Sequence, residues 1–354
     1  MAEKKCVRIG FVGVGGMGQC AHLRNYAVLP DCKVAAIAEV REKTAAKVAQ
    51  RYGVPKVYTS HQEMLANEEL DGIVASQPFT RHGILLPELI QSGKPIFIEK
   101  PLSSTLDSGK KILQVLQDSA AWVMVGYHKR SDPASMYAKA EVERLKSSGE
   151  LGKMTYIRIL MPAGDWVANG FLDLIDEGDR VDGTFEFEAP PTDMDKETNT
   201  EFWTFVNYYI HQVNLLHYFL GESYKVTFAD PGGVLLAGQS ESGVTCAIEM
   251  SPYQTTVDWQ ESVLVAFERG YVKVSLPAPM VRNQPGKVEI LRDPGEGKTP
   301  VTEFPQMPWV HAMQQQASNF IAAIRGERPP MTTAPEAMED LKVAREYIRK
   351  LRGK

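Results

Sequence analysis

The stretch of sequence that decides the fold is Val7–Gly18, VRIGFVGVGGMG. Its apolar first half predicts a buried β-strand. The strand ends in a Gly13-x-Gly15-x-x-Gly18 turn, and a helix-compatible segment follows, which is the context of a dinucleotide-binding fingerprint. Gly13 permits the tight turn, Gly15 lets a pyrophosphate approach the backbone, and Gly18 lets helix and strand pack closely. The helix N-terminus would then offer its free N–H groups to the phosphates.

A second predicted strand, Lys33–Ala38, ends at Glu39. Glu39 comes about twenty residues after the glycine turn, where a carboxylate accepts hydrogen bonds from the adenosine ribose. This placement favours NAD. Arg41 leaves NADP open, because a guanidinium can pair with a 2′-phosphate, although a solvated arginine at a helix start explains it equally well. The plain alternative is a structural turn with a solvated Glu39.

Bulk composition narrows the class of protein. The 354 residues suggest two domains, and 44% hydrophobic residues are ordinary for a globular chain. A net charge of −5 argues against nucleic acid and anionic membranes as partners. The four cysteines form no C-x-x-C pair or metal-ligand spacing, so we expect buried reduced thiols and no metal. No room precedes the first strand for a signal peptide and no run is long enough to span a membrane, which predicts a cytoplasmic protein.

Strand-like and helix-like segments alternate through the first third of the chain, which predicts parallel βαβ crossovers and a doubly wound α/β sheet. Ligands of such sheets bind at the carboxyl ends of the strands. Polar residues follow three predicted strands, at Ser76–Pro78 with His82 soon after, at Glu99–Pro101, and at Gly126–His128. We expect them to meet at one edge of the sheet.

Taken in order, these motifs resemble the Gfo/Idh/MocA oxidoreductase family. The resemblance continues through Gly126–Pro133 and a Gly326-x-Arg328-Pro329-Pro330 turn. It implies a Rossmann domain over residues 1–130 and an α+β domain with a largely antiparallel open sheet over 131–330, followed by a C-terminal helix, 331–354, able to return to the first domain. It also implies a homo-oligomer, dimer or tetramer, built through the second sheet.

The cofactor contacts expected from the glycine turn, the strand ends and the resemblance are Gly13, Gly15, Gly16, Met17, Gly18, Glu39, Arg41, Ser76, Gln77, Pro78, His82, Glu99, Lys100 and His128. Glu99 is expected to meet the nicotinamide ribose.

The second half of the chain carries successive strand candidates without intervening helices, which fits the antiparallel sheet. Residues 164–201 are rich in Asp, Glu, Gly and Pro and predict a long loop or lid with short helical pieces. Aromatic residues such as Trp166, Trp203 and Tyr208 are able to stack on a sugar ring, and core packing explains them equally well.

The segment Phe202–Gly221 predicts one helix with an apolar face and a polar stripe that includes Asn207, His211 and Asn214. The resembled family carries D-x-x-x-H-x-x-D here, and its histidine and first aspartate serve in proton transfer. His211 matches the histidine, whereas asparagine replaces both aspartates. Asparagine can orient a hydroxyl but cannot take a proton.

The expected reaction is hydride exchange between a secondary alcohol and nicotinamide. His211 is the first candidate base because its ordinary pKa lies near 6.5, and Lys100 is the second. Expected substrate contacts are Lys100, Tyr127, Asn207, Tyr208 and His211, and Asn207 joins Lys100 and His211 as a catalytic candidate. The resemblance implies a sugar, inositol or other polyol as substrate. An NAD-dependent glycosidase of the same fold and a non-catalytic ligand-sensing module are the alternatives.

Overall fold

The computed structural model describes residues 5–180, 185–250 and 253–353. The chain forms two compact units, and the first consists of Met1–Tyr127, Gly170–Asp193 and Gln316–Met338. The second contains His128–Asn169, Met194–Gln315 and Glu339–Lys354. These units do not coincide with a linear division at residues 130 and 330, because two later segments belong to the first unit.

The first unit is built on a six-stranded parallel sheet with the strand order β3-β2-β1-β4-β5-β6. This is the order of dinucleotide-binding folds, so the predicted doubly wound sheet is confirmed. Its elements are β1 (Val7–Val12), a π-helical turn (Gly18–Leu23) running into α1 (Arg24–Tyr26), β2 (Cys32–Ala38), α2 (Glu42–Tyr52), β3 (Lys56–Tyr58), α3 (His61–Asn67), β4 (Gly72–Ala75), α4 (His82–Ile90), β5 (Ile96–Ile98), α5 (Leu106–Gln117) and β6 (Val123–Val125).

The second unit carries an eight-stranded sheet in the order β14-β13-β12-β11-β7-β10-β9-β8. Strands β7 and β10 run parallel and the other neighbours are antiparallel, which confirms the largely antiparallel sheet. Its elements are α6 (Pro133–Ser148), β7 (Met154–Leu160), α7 (Lys196–Tyr208), α8 (Ile210–Leu220), β8 (Tyr224–Ala229), β9 (Leu235–Ser240), β10 (Thr245–Glu249), β11 (Glu261–Phe267), β12 (Gly270–Leu276), β13 (Lys287–Arg292) and β14 (Val301–Glu303). The chain closes with α9 (Ala312–Ile324) and α10 (Ala334–Leu351).

An aromatic cluster ties residues 316–338 to the first unit. The ring of Phe320 in α9 lies 5.9 Å from Phe97 of β5, 5.6 Å from Trp122 and 6.4 Å from Tyr26, all edge-on. Edge-to-face pairs at these distances add to the stabilisation from burial. The core of the first unit is therefore completed by a helix from the end of the chain.

The structure differs from the sequence expectations, or adds to them, at three places. The predicted helix Phe202–Gly221 is interrupted at Tyr209, where α7 ends and α8 begins. Helix α7 also begins at Lys196, inside the predicted loop 164–201, of which positions 181–184 lie outside the described residues. Strands β13 and β14 were not predicted.

The cysteines are all reduced, but not all buried as expected. Cys20 and Cys246 are buried, whereas Cys6 is exposed and Cys32 partly exposed. Over the described ranges, the helices are too short or too polar to cross a bilayer. Within the same ranges no group of His, Cys, Asp and Glu has the arrangement of a metal site.

Candidate active site

The glycine turn of the first unit has the geometry that a dinucleotide requires. Gly13 adopts φ +90°, and a Cβ there would lie 2.5 Å from the carbonyl oxygen of Ser76. A Cβ on Gly18 would lie 2.6 Å from the carbonyl oxygen of Gly13, so this glycine allows the close packing of turn and helix. At Gly15 the nearest atom is a nitrogen of Arg41, 4.0 Å away. The space beside Gly15 is open, as the approach of a pyrophosphate demands.

Glu39 lies at the end of β2 and is only 7% exposed. Its carboxylate accepts hydrogen bonds from the backbone N–H of Val14 (3.0 Å) and from the Nε and Nη2 atoms of Arg41, both at 3.0 Å. Burial alone would raise the pKa of Glu39, but these hydrogen bonds outweigh it and hold that pKa below its ordinary value. Glu39 is therefore a fixed anion beside the glycine turn, and Arg41 is its partner.

The residues after β4 surround a buried histidine. His82 is fully buried, with Nδ1 2.8 Å from the carbonyl oxygen of Pro101 and Nε2 3.2 Å from that of Gln77. Burial lowers the pKa of His82, while its contacts with the two carbonyl oxygens oppose that shift, and the ring lies between the two strand ends. The predicted cofactor contacts Ser76, Gln77 and Pro78 lie in the same turn and are partly or fully exposed.

Glu99 and Lys100 follow β5, and their peptide unit leads into a cis bond between Lys100 and Pro101. The Glu99 carboxylate lies 2.6 Å from Nε2 of His22, a buried residue of the helix after the glycine turn. Glu99 also accepts a hydrogen bond from the backbone N–H of Lys100 at 3.1 Å. Sequence reasoning missed His22, which fixes the carboxylate that precedes the candidate catalytic lysine.

Residues 170–180 and 185–193, part of the predicted lid, belong to the first unit and pack along the carboxyl edge of its sheet. The side-chain amide of Gln19 donates a hydrogen bond to the carbonyl oxygen of Ile175 at 3.0 Å and accepts one from its backbone N–H at 3.1 Å. A Cβ on Gly16 would lie 3.3 Å from the Phe171 ring. Farther along, the buried carboxylate of Glu188 accepts hydrogen bonds from the N–H of Gly83 (2.6 Å) and the hydroxyl of Ser104 (2.8 Å).

In the second unit, two histidines form a pair. The rings of His128 and His211 are 4.7 Å apart and nearly perpendicular. His128 is buried and His211 is partly exposed. His211 thus lies in the second unit next to another imidazole, and the structure brings these two predicted residues together.

The residues of the predicted polar stripe differ in burial and do not form one exposed face. Asn207 is exposed at the end of α7. Asn214 is fully buried and donates a hydrogen bond to Asp340 at 2.6 Å. Tyr208 accepts a hydrogen bond from the backbone N–H of Gly164 at 3.3 Å. Asn214 is therefore a structural residue.

A buried carboxylate holds the two segments that carry the histidine pair. Glu261 accepts a hydrogen bond from Gln212, the neighbour of His211, at 2.8 Å. It also forms an ion pair with Lys129, the neighbour of His128, and accepts from the indole N–H of Trp259 at 3.2 Å. Burial lowers the pKa of Lys129, while the Glu261 charge opposes that shift. No sequence motif marked Glu261.

The other residues of the Tyr127–Arg130 stretch are buried as well. Arg130 donates to the carbonyl oxygen of Asn214 and its guanidinium lies over the ring of Tyr218. Tyr127, predicted to contact substrate, is 1% exposed. Lys129 and Arg130 therefore serve the packing of the second unit.

Comparison with known proteins bears on this geometry. Residues 7–127 match the family described as GFO_IDH_MocA, oxidoreductase family, NAD-binding Rossmann fold. Residues 7–127 therefore carry the NAD-binding Rossmann fold of the Gfo/Idh/MocA oxidoreductases. The match confirms the resemblance read from the motifs, and with it the oxidoreductase class.

Two curated Gfo/Idh/MocA relatives are inositol dehydrogenases by name. The scyllo-inositol 2-dehydrogenase (NAD(+)) of Bacillus subtilis is 26% identical over 61% of this chain, and the match spans about half, 54%, of that protein. The inositol 2-dehydrogenase of Rhizobium meliloti is 24% identical over 90% of this chain and 88% of its own length.

A solved structure shows the same fold over nearly the whole chain. It is scyllo-inositol dehydrogenase from Lactobacillus casei with bound NAD(H) and scyllo-inositol, with a TM-score of 0.68 and 17% identity, covering 99% of this chain and 98% of that one. At 17% identity, this similarity shows a shared fold only.

Proposed function

We propose that this protein is an NAD-dependent dehydrogenase of an inositol, a sugar or a related polyol. The observation that carries the proposal is the glycine turn, with open space at Gly15 and a fixed carboxylate at Glu39. The inositol dehydrogenases among the relatives support the polyol as substrate class.

The residues of the first unit fit the cofactor. The Gly13–Gly18 turn would hold the pyrophosphate, and the Glu39 carboxylate, with Arg41 still bound to it, would accept a hydrogen bond from the adenosine ribose. Bound NAD supplies a carbon that accepts a hydride from the substrate.

Side chains of the protein accept and donate the proton of the substrate hydroxyl. When a carbinol carbon loses its hydride, the hydroxyl proton must leave, and a ketone remains. We assign the imidazole of His211 as the base that takes this proton. We propose Lys100 as the second candidate for this step, because its ammonium can donate to a substrate oxygen and, in the reverse direction, polarise a ketone.

The test is a panel of inositols, sugars and polyols with NAD and NADP, followed at the NADH absorbance. The variants His211→Ala and Lys100→Ala should each lower kcat by about 100-fold or more, the usual contribution of a positioned proton-transfer group. NADH affinity should survive in both.

Matched controls are His61→Ala and Lys110→Ala, which remove side chains that pair with Glu88 and Asp107 on the surface of the first unit. They should retain wild-type turnover. Near-normal turnover in both His211→Ala and Lys100→Ala would contradict the assignment.

One observation favours a second candidate, a non-catalytic ligand-sensing module. Asparagine stands at 207 and 214 where the resembled family carries aspartates. A protein that binds NADH and a polyol with no turnover would support that function. The relatives named above are dehydrogenases and do not favour the glycosidase, which would recycle its cofactor without accumulating NADH.

We also propose that the second unit's sheet mediates self-association in the cytoplasm. Edge strand β14 is exposed along its length, and Val301 is 52% exposed. Exposed apolar edges are prone to pairing. Light scattering coupled to gel filtration should give a dimer or tetramer mass, and a monomer at all concentrations would contradict the proposal.

A further inference from the structure

Helix α2 begins without a capping side chain of its own. Arg41 occupies the N-cap position, and its guanidinium cannot accept a hydrogen bond. The first N–H groups of a helix need an acceptor, and the helix dipole favours an anion there. Because α2 follows β2 directly, its first turn lies beside Glu39, the predicted ribose ligand.

Asp179, from a distant part of the chain, fills this place. Its carboxylate accepts hydrogen bonds from the backbone N–H groups of Lys43 (2.9 Å) and Thr44 (3.3 Å) and from the Thr44 hydroxyl (2.5 Å). Thr44 is fully buried, and its hydroxyl oxygen also accepts from the N–H of Glu177 at 3.2 Å. The Thr44 hydrogen bond leads the contacts that lower the pKa of Asp179, so the carboxylate is charged at neutral pH.

The neighbouring segment fixes Asp179 in position. Lys47 of α2 forms an ion pair with Glu177 at 2.6 Å, and Arg24 forms one with Asp173. The Arg51 guanidinium donates to the carbonyl oxygen of Asp173 at 2.5 Å. These contacts hold the segment that precedes Asp179 against the rest of the first unit.

A 2′-phosphate on the adenosine ribose would need the groups that these carboxylates occupy. The 2′-phosphate extends from the ribose toward the turn between β2 and α2. It binds by accepting hydrogen bonds from a guanidinium or from free backbone N–H groups. Here Glu39 holds the guanidinium of Arg41, and Asp179 holds the amides of α2. Two fixed negative charges would then face an approaching phosphate, and like charges in such proximity oppose binding.

We propose that Asp179 is a specificity-determining residue that excludes NADP by occupying, with its carboxylate, the place of the 2′-phosphate at the start of α2. The inference rests on the proposed nicotinamide site and deepens it. In this proposal the Arg41 guanidinium is the hydrogen-bond partner of Glu39 and does not bind a 2′-phosphate.

The experiment compares the wild-type protein with Asp179→Ala and Asp179→Asn. Dissociation constants for NADH, NADPH, 5′-AMP and adenosine 2′,5′-bisphosphate are measured by calorimetry, so the readout does not depend on turnover. For each protein, the ratio compared is the dissociation constant of NADPH divided by that of NADH, and likewise that of the bisphosphate divided by that of 5′-AMP. In both variants this ratio should be at least about tenfold lower than in the wild type. In Asp179→Asn the side-chain oxygen can still accept hydrogen bonds from the backbone N–H groups of α2. This variant therefore removes the charge while keeping the first turn of the helix capped.

Asp176→Asn is the matched control, because Asp176 carries the same charge in the same segment and also acts on Arg41, but it bonds Gly178 and Arg180 and not the amides of α2. It should leave the ratio within about twofold of wild type. An unchanged ratio in both Asp179 variants, or an equal gain in Asp176→Asn, overturns the proposal. A wild-type protein that binds NADH and NADPH equally also overturns it but leaves the dehydrogenase function intact. Binding of NADH without oxidation of any polyol contradicts the dehydrogenase alone.

Discussion

At the scale of single residues, the glycine turn could be predicted because its causes are local. A strand, three glycines at fixed spacing and a helix specify the backbone whatever the rest of the chain does. The partners of Asp179, Glu188 and Glu261 could not be predicted, because each carboxylate contacts residues far away in the sequence and no motif marks it. His22 was missed for the same reason.

Of the glycines in the turn, Gly15 should matter for cofactor affinity and Gly13 for folding stability. Gly15→Ala meets open space, so it should fold with wild-type stability but lose NADH affinity by about tenfold or more, because the methyl group lies in the path of the pyrophosphate. Gly13→Ala places a Cβ against Ser76 at φ +90° and should cost at least about 1–3 kcal/mol of unfolding free energy.

Denaturant unfolding and NADH titration of both variants check this pair of outcomes. Equal stability of the two, or full NADH affinity in Gly15→Ala, would show that the turn does not carry the pyrophosphate.

At the scale of secondary-structure elements, the predicted strand Lys33–Ala38 lies within one residue of β2, because buried strands are short apolar runs between turns. Periodicity could not reveal the break at Tyr209, since the apolar spacing continues across it. Strand β14 has no buried face, so its sequence carries no alternation to find.

The N-cap of α6 gives a pH-dependent prediction. Asp132 accepts hydrogen bonds from the N–H groups of Ala134 and Gly286, and burial raises its pKa from 3.8 to about 6. Because the folded pKa exceeds the unfolded one, the folded protein binds this proton more tightly. The resulting stability is complete below about pH 4 and is lost as the pH rises through about 6.

Asp132→Asn removes this titration. Its free energy of unfolding relative to wild type should therefore increase by at most about 3 kcal/mol between about pH 4 and pH 7. Urea unfolding at a series of pH values measures the difference, and a difference that stays constant across this range would contradict the assignment.

The buried pair of Lys129 and Glu261 should behave as a unit. Removing one partner by Lys129→Met or Glu261→Gln leaves an uncompensated group in the core and should cost about 3–5 kcal/mol. The double variant should be more stable than the sum of the single losses implies. Chemical unfolding of all four proteins gives the coupling energy, and simple additivity would show that the ion pair is not coupled.

At the scale of the whole molecule, alternation of strands and helices predicted the doubly wound parallel sheet of the first unit, since right-handed crossovers leave few choices. It could not predict that residues 170–193 and 316–338 complete the first unit. Nothing in a linear pattern shows that Phe320 packs on Phe97 and Trp122.

The first unit should therefore not fold from its N-terminal residues alone. A fragment of residues 1–130 lacks Phe320 and exposes the rings that this side chain covers. We expect no cooperative thermal transition and little dispersion of its amide proton resonances, and a well-dispersed, cooperatively unfolding fragment would contradict the arrangement.

The central claim is that the Gly13–Gly18 turn holds a nicotinamide dinucleotide, and calorimetric titration of the full-length protein with NADH tests it most directly. We predict saturable binding of one NADH per chain, retained in Lys100→Ala and His211→Ala. Absence of any measurable affinity of the wild-type protein for NADH and NADPH would contradict the account.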